Sequence, residues 1–254
     1  LEYLENKELK QILKTLKNYG TKNLTVVENR DSGVLNSKFL IPLSYGKVAL
    51  YLNQPNEVPT VEYESVRKVL DQMSNVLTKI IPDLKITTRE ISRSFNEKSS
   101  ETVKFQLFSQ KGDVVFPLKY ESAGIKKIIS ILSSLTIVYN NPNYCLVVDE
   151  LDAGIFEYLL GEILEIISSS GKGQLIFTSH NLRPLEVLNK ENLVFTTTDR
   201  ENNYTKLNKI KANNNIRNIY MKNVMLGSDH EEELYHETDS YEIKKAFKRV
   251  GSDK

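Results

Sequence analysis

Tyr144-Cys-Leu-Val-Val-Asp-Glu-Leu-Asp sets two adjacent carboxylates, Asp149 and Glu150, directly after a short apolar run, with Asp152 two residues further on. In open α/β sheets ligands gather outside the carboxyl ends of the strands, so a buried strand ending in Asp-Glu brings both acids to a binding edge. That arrangement suits nucleotide hydrolysis. Asp149 would hold Mg2+, directly or through water, and Glu150 would orient and deprotonate an attacking water. The same letters also arise where acidic residues merely open a loop after a core strand, so a second element has to decide.

Gln174-Leu-Ile-Phe-Thr-Ser-His-Asn, about one βαβ unit downstream, is another apolar run ending in polar residues. If the two strands are parallel neighbours, His180 lies near Glu150. An imidazole there can hydrogen-bond a γ-phosphate oxygen or the attacking water. A histidine considered alone would be assigned to loop capping, and its place at a strand end reverses that preference. A third element precedes both: Tyr120-Glu-Ser-Ala-Gly-Ile-Lys-Lys opens a helix with Ser122 as a natural N-cap. A helix N-terminus offering a hydroxyl, a permissive Gly124 and free N–H groups is a phosphate site, to which Lys126 and Lys127 add charge.

The elements that must hold these residues are short apolar strands at Cys145 to Val148, Gln174 to Thr178 and Leu193 to Thr197, alternating with helices at Ala123 to Tyr139 and Ile155 to Ser168. Helices alternating with fully apolar strands predict a parallel α/β sheet. Upstream the pattern differs. Leu4, Leu9, Ile12, Leu13 and Leu16 predict an amphipathic helix over 3 to 18, stopped at Gly20. Leu24-Thr-Val-Val and Lys47-Val-Ala-Leu-Tyr-Leu read as short antiparallel strands, with turns at Asp31-Ser-Gly and Ser44-Tyr-Gly. Val61 to Ile81 carries a broad apolar stripe that Pro82 ends, and its apolar face should pack on the strands. Runs at Leu84 to Phe95, Thr102 to Phe108 and Val114 to Leu118 predict an antiparallel sheet with a tight turn at Lys111-Gly-Asp.

The expected organisation is therefore an α+β region or insert over 1–83, antiparallel strands over 84–119, a parallel-sheet lobe over 120–206 and an extension over 207–254. The extension holds Ala212-Asn-Asn-Asn, Glu231-Glu-Glu and a basic helix near Tyr241 to Val250.

With 40% hydrophobic and 26% charged residues in 254, the chain has an ordinary globular composition, which argues against wholesale disorder. A net charge of +1 gives no global attraction for nucleic acid or membrane, leaving only a local basic groove open. The one cysteine, Cys145, sits in an apolar run as a small buried hydrophobe, and a reducing cytoplasm fits it. No apolar run approaches the ~20 residues that span a bilayer. His230 and His236 beside Glu231 to Glu233 match no zinc spacing and are assigned to a solvated acidic loop. Lys244, Lys245, Lys248 and Arg249 could meet nucleic acid, though an exposed charged helix is the default.

In their order, Glu121-Ser-Ala-Gly-Ile-Lys-Lys, Leu146-Val-Val-Asp-Glu-Leu-Asp and Phe177-Thr-Ser-His resemble the signature, Walker B with D-loop, and switch-histidine segments of ABC-type ATPases. The resemblance covers roughly residues 84 to 200 and is nearest the soluble SMC, RecF and OLD-like branch. It is especially near bacterial AAA-labelled proteins tied to phage defence and abortive infection. It implies the C-terminal lobe of a P-loop NTPase that dimerises head to tail around two ATP molecules. By the resemblance, Ser122 and Gly124 contact the γ-phosphate of ATP held by a second subunit, Asp149 serves Mg2+ and Glu150 is the catalytic base. Asp152 belongs to the D-loop and His180 is the switch histidine.

Glu-Ser-Ala-Gly-Ile in place of Leu-Ser-Gly-Gly-Gln disfavours a transporter subunit. A P-loop needs Gly, four residues, then Gly-Lys and Ser or Thr. The Gly-Lys pairs here, Gly46-Lys47 and Gly171-Lys172, are followed by Val48 and Gly173, so neither qualifies. The P-loop then either precedes Leu1 in a longer polypeptide, which the start at Leu favours, or lies on another chain. The rival readings are an ATPase-like scaffold that controls an effector such as a nuclease or toxin, and a DNA-associated repair head.

Overall fold

The computed structural model of the protein describes residues 6–28, 38–43, 46–95, 100–196, 203–206, 216–226 and 239–250. The turns expected at Asp31 to Gly33 and at Ser44 and Tyr45, the Asn-rich stretch after Ala212, and the His230, His236 and Glu231 to Glu233 cluster lie outside the described residues. The chain divides into two compact units, residues 1–184 and 185–254.

The first unit is a mixed α/β structure. It contains α1 (Lys7–Asn18), β1 (Leu24–Val27), β2 (Lys38–Leu43), β3 (Gly46–Tyr51), β4 (Asn56–Pro59), α2 (Thr60–Ile80), β5 (Leu84–Phe95), β6 (Glu101–Lys111), β7 (Val114–Pro117), α3 (Ala123–Asn140), β8 (Cys145–Val148), α4 (Glu157–Ser170) and β9 (Gln174–Phe177). Asn6 caps α1, its side chain accepting from the amides of Glu8 and Leu9. Gly20 does not end the helical path as expected: Tyr19–Asn23 continues it as a π-helical turn, and the turn of chain ends only at β1.

α2 shows why its sequence folds where it does. Tyr63, Val66, Leu70, Met73 and Leu77 recur at helical spacing and are buried, forming the stripe that packs against β5. Ser74 in the same stripe is also buried, and its hydroxyl accepts from the amide of Ile86 at 2.9 Å and donates to the Ile86 carbonyl at 3.2 Å. Tyr63 sets its ring 5.0 Å from that of Phe105 and its hydroxyl 3.1 Å from Thr88 Oγ1. Pro82 bars a further helical turn, and Asp83 takes a left-handed φ of 64° to send the chain into β5. β4, β6 and β5 pair antiparallel in that order, and β7 joins β6 through a turn where Gly112 has φ 58°. β2 and β3 form a separate antiparallel hairpin.

The other layer is a three-stranded parallel sheet in the order β1, β8, β9. This corrects the reading of Leu24–Val27 as an antiparallel strand: it pairs parallel with Cys145–Val148. Leu146 and Val148 are fully buried, each such side chain stabilising the fold by about 1.5–3 kcal/mol. On the opposite face the register aligns Val26, Val147 and Ile176, and there Val26 is 57% and Ile176 47% exposed.

The second unit contains β10 (Phe195–Thr196), β11 (Tyr204–Thr205), α6 (Ile216–Leu226) and α7 (Ser240–Arg249), with the short α5 (Pro184–Val187) at the boundary. Leu193 to Thr197 was expected as a third strand of the parallel sheet; instead Phe195–Thr196 pairs antiparallel with Tyr204–Thr205. A two-residue apolar ladder does not fix direction by itself. Asp239 caps α7 through the amides of Tyr241 and Glu242. No helix of the described residues is long and apolar enough to cross a membrane.

Candidate functional site

β8 and β9 run parallel with Val148 level with Phe177, so the next residues of each strand, Asp149 and Thr178, leave the sheet side by side. The ladder continues one step beyond the strands: Thr178 N–H donates to the Val148 carbonyl at 3.1 Å and Leu151 N–H to the Thr178 carbonyl at 3.0 Å. On the other flank Asp149 N–H donates to the Val27 carbonyl of β1 at 2.8 Å. Asp149 is thus fixed from both neighbouring strands.

Thr178, read in the sequence only as the end of a strand, is central to the geometry. Its Oγ1 donates to Asp149 Oδ1 at 2.7 Å and accepts from Glu150 N–H at 2.7 Å. Glu150 itself sits at φ 47°. A left-handed backbone costs a residue with a side chain about 1–2 kcal/mol, which the surrounding contacts must offset. The Glu150 carboxylate lies 3.8 Å from His180 Nε2, with the imidazole 86% and the carboxylate 38% exposed. Asp152 accepts from His180 N–H at 3.3 Å through both carboxylate oxygens. The structure therefore gathers Asp149, Glu150, Asp152 and His180 at one end of two adjacent parallel strands.

The start of α3 closes on the same loop. Ser122 caps it, Oγ accepting from Ile125 N–H at 3.2 Å, and remains exposed. Glu121 anchors the approach to the helix, its carboxylate accepting from the buried Ser109 hydroxyl of β6 and from Ser122 N–H. Gly124 faces Gly154 backbone to backbone: a Cβ added at Gly124 would lie 1.9 Å from the Gly154 carbonyl oxygen, and Gly154 takes φ 74°. This contact within the chain gives Gly124 a reason to be glycine besides any approach of phosphate. The two lysines after it part company. Lys126 donates to the Lys119 carbonyl at 3.1 Å, whereas Lys127 reaches the acidic loop, with Nζ 3.5 Å from the Asp149 carbonyl. Burial holds the Lys127 ammonium below the usual lysine range, opposed by the carboxylates of Asp149, Glu150 and Asp152.

Among the described residues no group of three or more His, Cys, Asp or Glu side chains could hold a metal by itself. One exposed carboxylate, Asp149, with Oδ2 outside the bond to Thr178, fits Mg2+ instead, which takes one or two carboxylates and completes its shell with water and substrate phosphates. Glu28 directly follows β1, so it stands in the same row of strand ends as Asp149 and Thr178. Its place there follows from the parallel direction of β1, which the sequence did not show.

No family model matches the chain, and no curated protein matches it. Among solved structures it is similar to a chain from work on ATP-driven dimerization and DNA-stimulated activation of SMC ATPases, at 13% identity over 66% of this chain and 98% of that one, with a TM-score of 0.44. It is also similar to an SmcHead bound to the C-winged helix domain of ScpA, at 16% identity over 48% of this chain and 37% of that one, TM-score 0.36. A Smc head domain with an extended coiled coil, bound to the C-terminal domain of ScpA derived from Pyrococcus furiosus, gives 16% identity over 48% and 29%, TM-score 0.34. Likenesses this distant carry none of the functional reading, which rests on the residues gathered at the ends of β8 and β9.

Proposed function

We propose that this chain is the acidic, signature-bearing part of an ABC-type ATPase head that dimerises around ATP. The observation that supports it most is the convergence of Asp149, Glu150, Asp152 and His180 at the carboxyl ends of two adjacent parallel strands, with the capped start of α3 closing on the same loop.

Each group has a task that its surroundings suit. Asp149 holds Mg2+, which when bound neutralises charge on the phosphates. Glu150, beside the Asp149 site, orients the attacking water and accepts its proton. His180 donates from its imidazole to a γ-phosphate oxygen or to the water. Asp152 keeps the loop after β8 joined to the His180 backbone. Ser122 and the amides at the start of α3 present an anion site to the γ-phosphate of ATP held by a second copy. The phosphate-wrapping loop comes from outside these 254 residues, on the same polypeptide or on another. The finer placement, in bacterial phage defence or abortive infection with an effector protein as partner, rests on the resemblance of Glu121-Ser-Ala-Gly-Ile-Lys-Lys to that group.

No Gly-x4-Gly-Lys-Ser/Thr occurs in the chain, which favours a second reading as an ATPase-like scaffold that governs such an effector. The test is Mg2+-dependent ATP hydrolysis by the full product of the gene, wild type and Glu150→Gln. Loss of a general base costs about 10²–10⁴ in rate, and the variant should still form ATP-bound dimers by sedimentation. Unchanged turnover removes Glu150 from the role. A full product that neither binds nor hydrolyses ATP leaves the scaffold.

A further inference from the structure

We propose that Thr178 is the positioning residue of the paired carboxylates, holding both of them through a single hydroxyl. This rests on the reading of Asp149 and Glu150 given above.

A hydroxyl has one proton to give and two lone pairs with which to accept. At Thr178 the proton goes to Asp149 Oδ1 and one lone pair takes Glu150 N–H, each at 2.7 Å. The first bond fixes which Asp149 oxygen is occupied and leaves Oδ2 for a cation. The second holds Glu150 at φ 47°, a backbone state its own side chain disfavours, with the carboxylate 3.8 Å from His180 Nε2. The backbone of Thr178 is fixed in turn by the bonds to Val148 and Leu151, and a β-branched side chain has few rotamers open to it. The hydroxyl is therefore placed by the sheet, and it transmits the sheet's geometry to the loop. Asn and Ser side chains could make similar bonds only with more freedom to lose. Valine has the shape of threonine without the hydroxyl, and serine has the hydroxyl without the methyl, so the two substitutions separate chemistry from packing.

The experiment compares the chain with Thr178→Val and Thr178→Ser by amide hydrogen exchange and by NMR with Mn2+ alone as the probe. In T178V the Glu150 amide should exchange about fivefold faster, the effect of losing one ordinary hydrogen bond, while amides in β5 and β6 stay as they were. T178S should restore the slow exchange. Mn2+ broadening at Asp149 to Asp152 should need about 10–100-fold more cation in T178V, the usual cost of removing a group that orients a metal ligand. Wild-type exchange at Glu150 in T178V overturns the proposal, as does equal acceleration in T178V and T178S, which would assign the effect to shape. If Glu150 exchange responds as stated but Mn2+ broadens nothing in any form, Thr178 keeps its role and the metal reading of Asp149 fails.

Discussion

Gly124→Ala sets local and tertiary preferences against each other. Within a helix alanine is favoured over glycine by about 1 kcal/mol, so propensity alone predicts that G124A stabilises the start of α3. The structure predicts the opposite. A Cβ there would lie 1.9 Å from the Gly154 carbonyl oxygen and 3.0 Å from its carbon, and both belong to backbone that no rotamer change can move. Side-chain carbon and oxygen stay at least about 3 Å apart, so the loop or the first turn of α3 must retreat by roughly 1 Å. Overpacking of this kind costs about 1–3 kcal/mol, which offsets the gain of about 1 kcal/mol from propensity and leaves a net loss of up to about 2 kcal/mol. In a domain of this size that net loss corresponds to a fall of up to about 8 °C in Tm. The assay is thermal and urea unfolding of wild type and G124A, with amide exchange at Ile125 and Lys126 to detect local fraying where Ser122 caps the helix. A G124A midpoint equal to or above wild type, with those amides unchanged, would refute the backbone contact and leave glycine there without a packing reason.

Ser74→Ala removes a buried hydroxyl that serves both the amide and the carbonyl of Ile86, and stranding those groups should cost about 1–3 kcal/mol in urea unfolding; a loss under about 0.5 kcal/mol would mean that water or a shift in β5 satisfies them. Glu90 is held below the ordinary glutamate range, first by its hydrogen bond from Arg93 and then by the Arg93 and Arg67 charges. Its folded pKa is lowered, so its contribution to stability is present above the unfolded value of about 4.3 and is lost as pH falls through the lowered one. A carboxyl NMR titration should show Glu90 returning to the ordinary range in Arg93→Gln, and an unmoved midpoint would sever the link.

Long periodic segments were legible from sequence because burial imposes their period. The apolar stripe within Val61 to Ile81 gave α2, and the apolar runs with Lys111-Gly-Asp gave β5, β6 and β7. Strand direction was not legible. Leu24-Thr-Val-Val has four residues, and nothing in so short a run says whether its partner lies across a turn or far along the chain. Phe195–Thr196 failed for the same reason. At the site, Asp149, Glu150 and His180 stood out as polar side chains after apolar runs. Thr178 did not, since a threonine closing a strand is commonplace, and its meaning depends on which neighbour the strand acquires. Gly124 was read as a permissive residue at a helix N-terminus, and a sequence cannot show that its backbone also meets that of Gly154.

β1 pairs with β8 from Leu24 opposite Cys145 onward, and beside that ladder the Tyr144 hydroxyl donates to Thr25 Oγ1, 119 residues back along the chain; this sets an order of assembly. During synthesis Leu24–Val27 emerges long before its partner exists. The β4 to β7 region and α2, whose contacts are closer in sequence, can form first, because closing a shorter loop loses less chain entropy. The acidic loop takes shape only when β9 has been made and Thr178 can meet Asp149. Maturation of the site is therefore the last event in the first unit. A ribosome stalled before Cys145 would display a finished antiparallel half beside an unpaired, aggregation-prone β1, the interval in which a chaperone has most to protect.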